Sequence, residues 1–175
     1  GPAWAIAAGA ATVYRNYFVE VGGETGQTFD NQIDCLGDIG AALGNANNDL
    51  WSMSNGYALC SPDGLSKINQ RLQSSDEPEK DKLRQRLRIG LHSGIQVTDA
   101  EAPKNHLVSQ VYCSALPIAY SSSLETEWSA FAKLILESAY EATLCAAIIN
   151  SHTDGREFLE EPSTTLFGTV ADSNH

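Results

Sequence analysis

Basic residues are scarce in this 175-residue sequence: 11 Lys and Arg stand against 22 Asp and Glu, which gives a formal net charge of −11. Proteins that bind nucleic acid through its phosphates need clustered Lys and Arg, because these residues displace condensed counterions. The one local cluster, between Lys80 and Arg88, alternates with Asp81, Gln85 and leucines, as a solvated helix face does. We therefore expect no nucleic acid among the partners of this chain.

Long apolar runs are also missing. No stretch reaches about 18 consecutive apolar residues, the length that suggests a membrane-spanning helix. No positively charged segment precedes an apolar one near the first residue, as it would in a secretory signal. The sequence therefore predicts that the membrane is not a partner.

Cysteine is sparse, and its spacing shows no framework. Cys35, Cys60, Cys113 and Cys145 lie far apart, with no C-x-x-C pair, and the last three stand in apolar runs. Free cysteine packs as a small hydrophobic residue, whereas a disulfide framework would be denser and in a shorter chain. We expect reduced core thiols and a cytoplasmic protein.

Common catalytic and metal-binding motifs are absent. The four histidines are scattered, without H-x-x-x-H or Cys/His spacing, and no G-x-S-x-G, Walker or G-x-G-x-x-G motif occurs. Cys113-Ser114 could supply a nucleophile, but no histidine accompanies it, so core packing is the favoured interpretation. A site of carboxylates alone would favour Mg²⁺ or Ca²⁺. Magnesium is therefore kept open as a cofactor, with its ligands unassigned.

The composition is that of one globular domain. Hydrophobic residues make up 42% of the chain and charged residues 19%, and compact domains run to about 100–200 residues. The segment from Glu160 to His175 is polar and contains Pro162 and clustered threonines. We predict one domain over residues 1–159 and a polar tail over 160–175.

Helical and extended patterns alternate along the chain. Helices are predicted from Pro2 to Tyr14, Asn31 to Leu43, Ser61 to about Gln73, a stretch ending near Leu87, and Ser123 to Asn150. Extended segments are predicted from Arg15 to Val21, Leu50 to Cys60 with a turn at Asn55-Gly56, Ile89 to Val97, and His106 to Ile118. Interleaved strands and helices predict a three-layer or partly parallel α/β fold.

The helix predicted over 123–150 is apolar on more than one face. Leu134, Leu136, Leu144 and Ile148 lie off the main apolar stripe, which predicts that the helix is covered on more than one side. Glu137 and Glu141 fall within it, and each is expected to face solvent or to pair with a base such as Arg15.

The segment from Gly22 to Asp38, GGETGQTFDNQIDCLGD, carries the strongest suggestion of a site. A glycine-rich turn that leads into a helix N-terminus presents free backbone N–H groups, which suit a phosphate. Gly22, Gly23 and Gly26 allow positive φ and close ligand approach. Such turns are also common without a ligand, so ordinary turn geometry remains the alternative.

Acidic residues follow this turn. In the predicted helix, Asn31, Asp34 and Asp38 share one face. With Asp30, they could hold ribose hydroxyls, bind a cation or orient a water. A solvated acidic face is the alternative, because Asp34 and Asp38 at i,i+4 would cost only a few tenths of a kcal/mol on a surface helix, about the magnitude known for like-charge pairs.

Several segments together resemble a known family. They are GPAWAIAAGAATVYRNYF (1–18), GQTFDNQIDCLGDIGAAL (26–43), LWSMSNGYALCSPDGL (50–65), QVYCSALPIAYS (110–121) and FAKLILESAYEATLCAAI (131–148). They are similar to a divergent branch of the macrodomain and poly(ADP-ribose) glycohydrolase-like family, which includes a bacterial effector that removes ADP-ribose from ubiquitin. The resemblance implies a macrodomain-like mixed sheet flanked by helices.

The resemblance also implies an activity: binding of ADP-ribose or an ADP-ribosylated protein, and hydrolysis of the ADP-ribosyl bond, plausibly on arginine. The family's acidic residues would fall on Asp30, Asp34 and Asp38 as catalytic groups. Gln27, Asn31, Arg15 and Asn16 would line the same cleft, beside the glycine turn. One carboxylate would position a water against the anomeric carbon and a second would manage protons.

Two departures from the family pattern bear on activity. An additional strand is expected ahead of Gly1-Pro2, and a G-G-G-A-F-G-like phosphate loop is expected after the long helix, where this chain reads Thr164-Thr165-Leu166-Phe167-Gly168-Thr169. The domain is therefore expected to be altered or incomplete at both ends. A non-catalytic ADP-ribose or nucleotide reader, and a protein-interaction domain without a small ligand, stay as alternatives to the hydrolase.

Overall fold

The computed structural model describes residues 13–54, 56–96, 107–114, 116–152 and 164–168. The predicted helix from Pro2 to Tyr14 lies almost wholly outside these residues. The described chain is a mixed α/β domain, which confirms the general class that the sequence predicts. Within these ranges, no helix combines the length and the hydropathy that a transmembrane span needs.

The described residues form helices and strands that alternate along the chain. A π-helical turn spans Tyr14–Phe18, and the α-helices are α1 (Gly37–Leu43), α2 (Pro62–Ser74), α3 (Glu77–Arg84) and α4 (Glu125–His152). The strands are β1 (Glu20–Val21), β2 (Glu24–Thr25), β3 (Trp51–Ser54), β4 (Tyr57–Cys60), β5 (Arg88–Gln96), β6 (Leu107–Tyr112) and β7 (Thr164–Gly168). A short 3₁₀ turn covers Ile118–Tyr120.

The strands of the described residues pair only in antiparallel fashion. β1 pairs with β2 and β3 with β4 as hairpins, and β5 is the centre of a sheet with the order β6-β5-β7. Gly56, which follows β3 and precedes β4, has the positive φ of 83° that the predicted turn needs, whereas Asn55 lies outside the described residues. The parallel pairing that we predicted is therefore not found in this part of the chain.

One strand lies in the segment predicted as a polar tail. In β7, Phe167 is opposite Ile89 and Leu166 is opposite Gly90, so residues 164–168 extend the central sheet. Part of the predicted tail thus pairs with β5, while the division into a domain and a tail stays a prediction.

Helix termini follow the sequence signals closely in the middle of the chain. Ser61 caps α2, with its hydroxyl accepting from the Gly64 N–H at 3.0 Å, as predicted. Asp76 caps α3 in the same way through the Glu79 N–H at 2.9 Å. Gly44 ends α1 in the left-handed conformation, which confirms the predicted stop.

Two predictions at the N-terminal end are wrong. Residues 31–36 are not helical, and α1 begins only at Gly37. The carboxylate of Asp34 accepts from the N–H of Leu36 at 2.8 Å, a local turn that competes with helix. Residues 15–18 are helical rather than extended, and the N–H of Val19 donates to the Tyr14 carbonyl at 3.1 Å.

Helix α4 organises the core. It contacts α2, α3 and β5. Its buried face carries Trp128 and Phe131, whose rings lie 6.4 Å apart, and Phe131 also meets Trp51 at 5.4 Å. Ile89 of β5 belongs to the same buried cluster. The helical spacing predicts a buried stripe, and its members that are buried are Trp128, Phe131, Ile135, Ala142 and Ala146. Ala139 is partly buried and Ile149, also in the predicted stripe, is 39% exposed.

The opposite face of α4 differs from the prediction. Leu134 is buried at 4% exposure, but Leu136 and Leu144 are 59% and 64% exposed, with Tyr140 between them at 66%. Described residues therefore cover α4 on one side only. Periodicity could not show this, because it identifies apolar faces without showing what packs on them.

Candidate functional site

A cavity of about 390 Å³ opens where the π-helical turn meets the central sheet. Four parts of the chain build it: the π-helical turn, the segment before α1, the β3–β4 turn, and the end of β6 with the adjoining part of β5. The lining residues are Tyr14, Arg15, Gln27, Ile33, Cys35, Gly56, Tyr57, Gly90, Tyr112, Cys113 and Ser114. Arg15 and Gln27, both predicted to line the cleft, are among them.

The β1–β2 hairpin brings Arg15 and Gln27 to the same wall. The N–H of Gly26 donates to the Val19 carbonyl at 2.7 Å, and the N–H of Gln27 donates to the Arg15 carbonyl at 2.8 Å. A Cβ at Gly26 would lie 2.1 Å from the carbonyl oxygen of Asn16, and Gly26 also has a φ of +86°. Only glycine allows the hairpin to approach the π-helical turn this closely.

Tyr14 is the most enclosed group of the cavity wall. It is 1% exposed, and its ring stacks on Tyr112 with 4.5 Å between centroids. Gly90 makes this possible, because a Cβ there would lie 2.7 Å from the Tyr14 hydroxyl. That hydroxyl is buried and has no hydrogen-bond partner among the described residues.

The Tyr14 hydroxyl stays protonated throughout the physiological range. Burial, with smaller contributions from Cys35 and Tyr112, raises the pKa of Tyr14 to about 12. A neutral phenol can both donate and accept a hydrogen bond. The cavity wall thus contains a hydrogen-bond donor that no described residue uses, and such groups are rare enough in folded proteins to require an explanation.

Arg15 supplies positive charge to the cavity. Its Nε is buried without a hydrogen-bond partner, and none of the ion pairs among the described residues includes this guanidinium. Arginine matches carboxylate and phosphate groups in a bidentate geometry. In a chain of net charge −11, an arginine on a cavity wall that forms no ion pair with a described residue favours an anionic ligand.

The thiols are arranged differently from the prediction. Cys35, the one cysteine outside an apolar run, is buried at 5% exposure, while Cys60 and Cys145 are half-buried. Cys113 is exposed, and its Sγ lies 3.9 Å from the Thr143 hydroxyl. The prediction that Cys113 packs in the core is wrong, because β6 ends one residue earlier and leaves it at the cavity.

Burial raises the pKa of both cavity thiols. For Cys35, a hydrogen bond with the Ser114 side chain partly offsets this effect, and Asp34 and Cys113 add to it. For Cys113, the Thr143 hydroxyl opposes the effect. Both thiols are therefore less readily ionised than free cysteine.

The three predicted catalytic carboxylates do not line the cavity that the described residues form. Asp30 is exposed, and Asp38 forms an ion pair with Arg88 at 2.7 Å. Asp34 is half-buried and binds the Leu36 N–H; burial first, and Asp38 less strongly, raise its pKa. None of the three is among the lining residues that the described chain contributes to the cavity. The predicted shared helix face is wrong, because the residues from 31 to 36 are not helical.

The predicted glycine loop is a hairpin turn. Gly22 and Gly23 join β1 to β2 with φ of 59° and 85°. The Asn31 side chain donates to the Val21 carbonyl at 2.7 Å, and a Cβ at Gly22 would lie 2.7 Å from it. Asn16 is exposed, with its backbone against Gly26. In the described chain these residues support the cavity wall rather than line it.

The remaining charge predictions have mixed outcomes. Glu137 pairs with Arg84 at 3.1 Å and with Lys133 at 3.7 Å rather than with Arg15, and Glu141 is exposed. In the cluster predicted as a solvated face, Lys80 pairs with Glu77 at 2.9 Å. Across the described ranges, no group of three or more His, Cys, Asp or Glu side chains is placed to hold a metal ion.

Sequence reasoning missed the aromatic part of the site. Tyr14, Tyr57 and Tyr112 are far apart in sequence, and nothing in their local patterns marks them. Gly90 could have been noticed, because a glycine inside a strand often indicates close approach of another group. The group that approaches, Tyr14, can be identified only from the fold.

No family model matches the chain, and no curated protein or solved structure matches it significantly. The resemblance to macrodomains therefore remains a hypothesis. What the fold and cavity define is an α/β domain with an arginine- and tyrosine-lined pocket.

Proposed function

We propose that this domain binds a small anionic ligand of the ADP-ribose class in the cavity beside Tyr14. One observation carries the proposal: on the wall of one cavity, the Tyr14 hydroxyl and the Arg15 Nε are both buried with no hydrogen-bond partner among the described residues. Leaving a buried polar group unpaired costs about 1–3 kcal/mol, and more for a charged group. A ligand oxygen that accepts from both groups would recover this free energy.

The size and lining of the cavity support such a ligand. Ligand sites commonly enclose roughly 300–1,000 Å³ and combine apolar walls with a few polar groups. The volume of about 390 Å³ falls near the lower end of that range. Tyr57, at 40% exposure, offers a ring on which a base could stack. Arg15 would meet a phosphate, and Gln27 could bind a ribose hydroxyl.

The family resemblance makes ADP-ribose the first ligand to test. Under this proposal the chain is a divergent macrodomain-like domain whose small antiparallel sheet carries the site. The lining favours binding more than turnover, because carboxylates are missing from the cavity wall formed by described residues. A reader of ADP-ribose or of a related nucleotide is thus the function that the geometry supports best.

Hydrolysis of an ADP-ribosyl bond is the second candidate, and Asp34 is the observation that favours it. Asp34 is half-buried, its pKa is raised chiefly by burial, and it directly precedes the cavity residue Cys35. A carboxyl group with a raised pKa suits general acid–base catalysis. In this mechanism Asp34 would position a water against the anomeric carbon of the ribose.

Calorimetric titration with ADP-ribose, with and without Mg²⁺, tests the binding proposal. We expect binding, and we expect Arg15→Gln to weaken it at least about tenfold, since hydrogen bonds to charged groups contribute about 1.5–3 kcal/mol. Arg86→Gln is the matched control, because Arg86 is an exposed arginine away from the cavity. The absence of binding at high ligand concentration, or equal losses in both variants, would contradict the proposal.

Release of ADP-ribose from ADP-ribosylated protein tests the second candidate. We expect Asp34→Asn to abolish release while ADP-ribose binding stays within a few-fold of the original, because the asparagine oxygen can still accept from the Leu36 N–H. Asp63→Asn, at an exposed carboxylate of α2, is the control. If the original protein binds ADP-ribose but does not release it from modified protein, the hydrolase candidate is contradicted and only the reader function remains.

A further inference from the structure

The cavity also brings two thiols together. Cys35 and Cys113 both line it, although they are 78 positions apart in the sequence. The ligand proposal uses neither thiol.

Backbone pairing explains why the two cysteines are neighbours. The N–H of Arg88, the first residue of β5, donates to the Cys35 carbonyl at 3.0 Å. In the antiparallel β5–β6 ladder, Gly90 is opposite Tyr112. Cys113, the next residue after Tyr112, therefore continues toward the start of β5, where Arg88 lies. The side chain of Ser114 is hydrogen-bonded to the Cys35 thiol. Cys35 is thus held by hydrogen bonds to the first residue of β5 and to Ser114, the residue that follows Cys113.

The two thiols differ in access to solvent. Cys113 is exposed, whereas Cys35 is 5% exposed. A reagent from solution therefore reaches the Cys113 thiol first. The buried Cys35 thiol can react only with a group that is already bound in the cavity, such as a modified Cys113. The same wall contains the Tyr14 hydroxyl, which is buried and has no hydrogen-bond partner among the described residues. This second observation marks the place as a ligand cavity rather than as packed core.

We propose that Cys113 and Cys35 are a redox-modification site that reacts with small disulfides such as oxidised glutathione to form a reversible intramolecular disulfide. In the first step the Cys113 thiolate attacks one sulfur of the small disulfide and releases one small thiolate, which leaves a mixed disulfide on Cys113. In the second step the Cys35 thiolate attacks the Cys113 sulfur and releases the other small thiolate. Two protein thiols are oxidised, one small disulfide is reduced to two thiols, and the protons lost by the cysteines go to the released thiolates.

The cross-link would control the cavity. A disulfide between the segment before α1 and the end of β6 spans the wall, and its geometry requires the two β-carbons to come within roughly 3.5–4.5 Å of each other. This closure narrows the space beside Tyr14. The prediction that oxidation blocks ligand binding rests on the proposed function, whereas the formation of the disulfide does not.

Peptide mapping after treatment with oxidised glutathione tests the disulfide. Cleavage after Lys and Arg places Cys113 in the peptide 105–133, Cys145 in 134–156, and Cys35 together with Cys60 in 16–67. The experiment therefore uses the Cys60→Ser variant, in which the peptide 16–67 contains a single thiol. We expect a cross-link between 16–67 and 105–133 that dithiothreitol reverses.

Matched variants make the result decisive. Cys113→Ser, at an exposed position, should abolish the cross-link, and Cys145→Ser should leave its yield unchanged. Glutathione retained on Cys113 without a cross-link, a cross-link to Cys145, or no reaction at Cys113 would each overturn the proposal.

Titration of the oxidised and reduced proteins with ADP-ribose completes the test. Binding that is lost at least tenfold on oxidation and recovered on reduction supports control of the cavity. If the cross-link forms but the reduced protein does not bind ADP-ribose, the proposed ligand is wrong and the thiol site stands.

Discussion

Tyr14 shows at the scale of one residue how a group proposed to bind a ligand can reduce stability. Its hydroxyl is buried and unpartnered among the described residues, while its ring is stacked on Tyr112. The ring therefore stabilises the fold and the hydroxyl destabilises it. Groups of this kind are often retained because function needs them.

Substitution of this residue separates the two contributions. We expect Tyr14→Phe to increase the free energy of unfolding by up to about 1 kcal/mol, because the unpaired hydroxyl is removed and the stacked ring is kept. The same change should weaken ADP-ribose binding. Urea denaturation measures the first effect, with Tyr120→Phe, at 85% exposure, as the control. A loss of stability in Tyr14→Phe would show that the hydroxyl has a partner in the folded protein.

His92 lies against the same aromatic group. Its ring is 5.8 Å from Tyr14 and 5.6 Å from Phe18, and burial lowers its pKa below the ordinary value of 6.5. The unfolded chain therefore binds this proton more readily than the folded protein. The contribution of His92 to the free energy of unfolding is therefore fully present above about pH 6.5, the pKa in the unfolded chain. It is lost as the pH falls from there toward the lower pKa in the folded protein.

This linkage can be measured directly. We expect the free energy of unfolding to fall between pH 7 and pH 5 and to fall less steeply in His92→Gln, which lacks the titrating ring. Equal slopes for the two proteins would mean that His92 does not contribute. The difference between them is the useful quantity, because carboxylates titrate in both.

At the scale of elements, α4 shows what periodicity can and cannot establish. Spacing correctly identified the helix and its buried stripe from Trp128 onward. Spacing could not predict that Leu134 is buried and Leu136 exposed, because both are leucines on a helix that is apolar on several faces. What distinguishes them is the position of α2, α3 and β5, which lie on one side.

A pair of substitutions tests this assignment within one helix. Leu134→Ala should cost about 2–5 kcal/mol of stability through transfer and cavity formation. Leu136→Ala should change stability by less than about 0.5 kcal/mol, as exposed positions do. Thermal or urea denaturation gives both values. Similar losses at the two positions would show that the outer face of α4 is covered in the folded protein.

The segment from residue 31 to 36 shows the opposite failure. Its composition fits a helix start, yet Asp34 hydrogen-bonds the Leu36 N–H and Asn31 holds the Val21 carbonyl. Side chains that satisfy nearby backbone groups compete with helix formation. The predicted acidic face depended on this helix and therefore was not found.

For the whole molecule, the general class and most helix positions could be predicted, but the site could be predicted only in part. Arg15 and Gln27 were identified through resemblance. Tyr14, Tyr112 and Gly90 were not, because no local pattern connects residues so far apart in sequence. The cavity arises from tertiary contacts, which a single sequence does not reveal.

Strand β7 allows a test of how far the domain extends. A chain ending at residue 162 should lose about 2 kcal/mol or more of stability, at about 0.5–1.5 kcal/mol net for each lost strand hydrogen bond, and it should no longer bind ADP-ribose. A chain ending at residue 168 keeps β7 and should behave like the original. Equal stability of the two truncated chains would contradict the placement of β7 beside β5.

The pairing around Gly90 bears on when the cavity can form during folding. Gly90, against which Tyr14 packs, lies between Tyr112 on β6 and Leu166 on β7. Contacts across such sequence distances form late, because the entropy of closing the loop comes before the gain from pairing. Tyr14 and Arg15 therefore enter the chain early but take their places in the cavity wall only after β5 and β6 have paired.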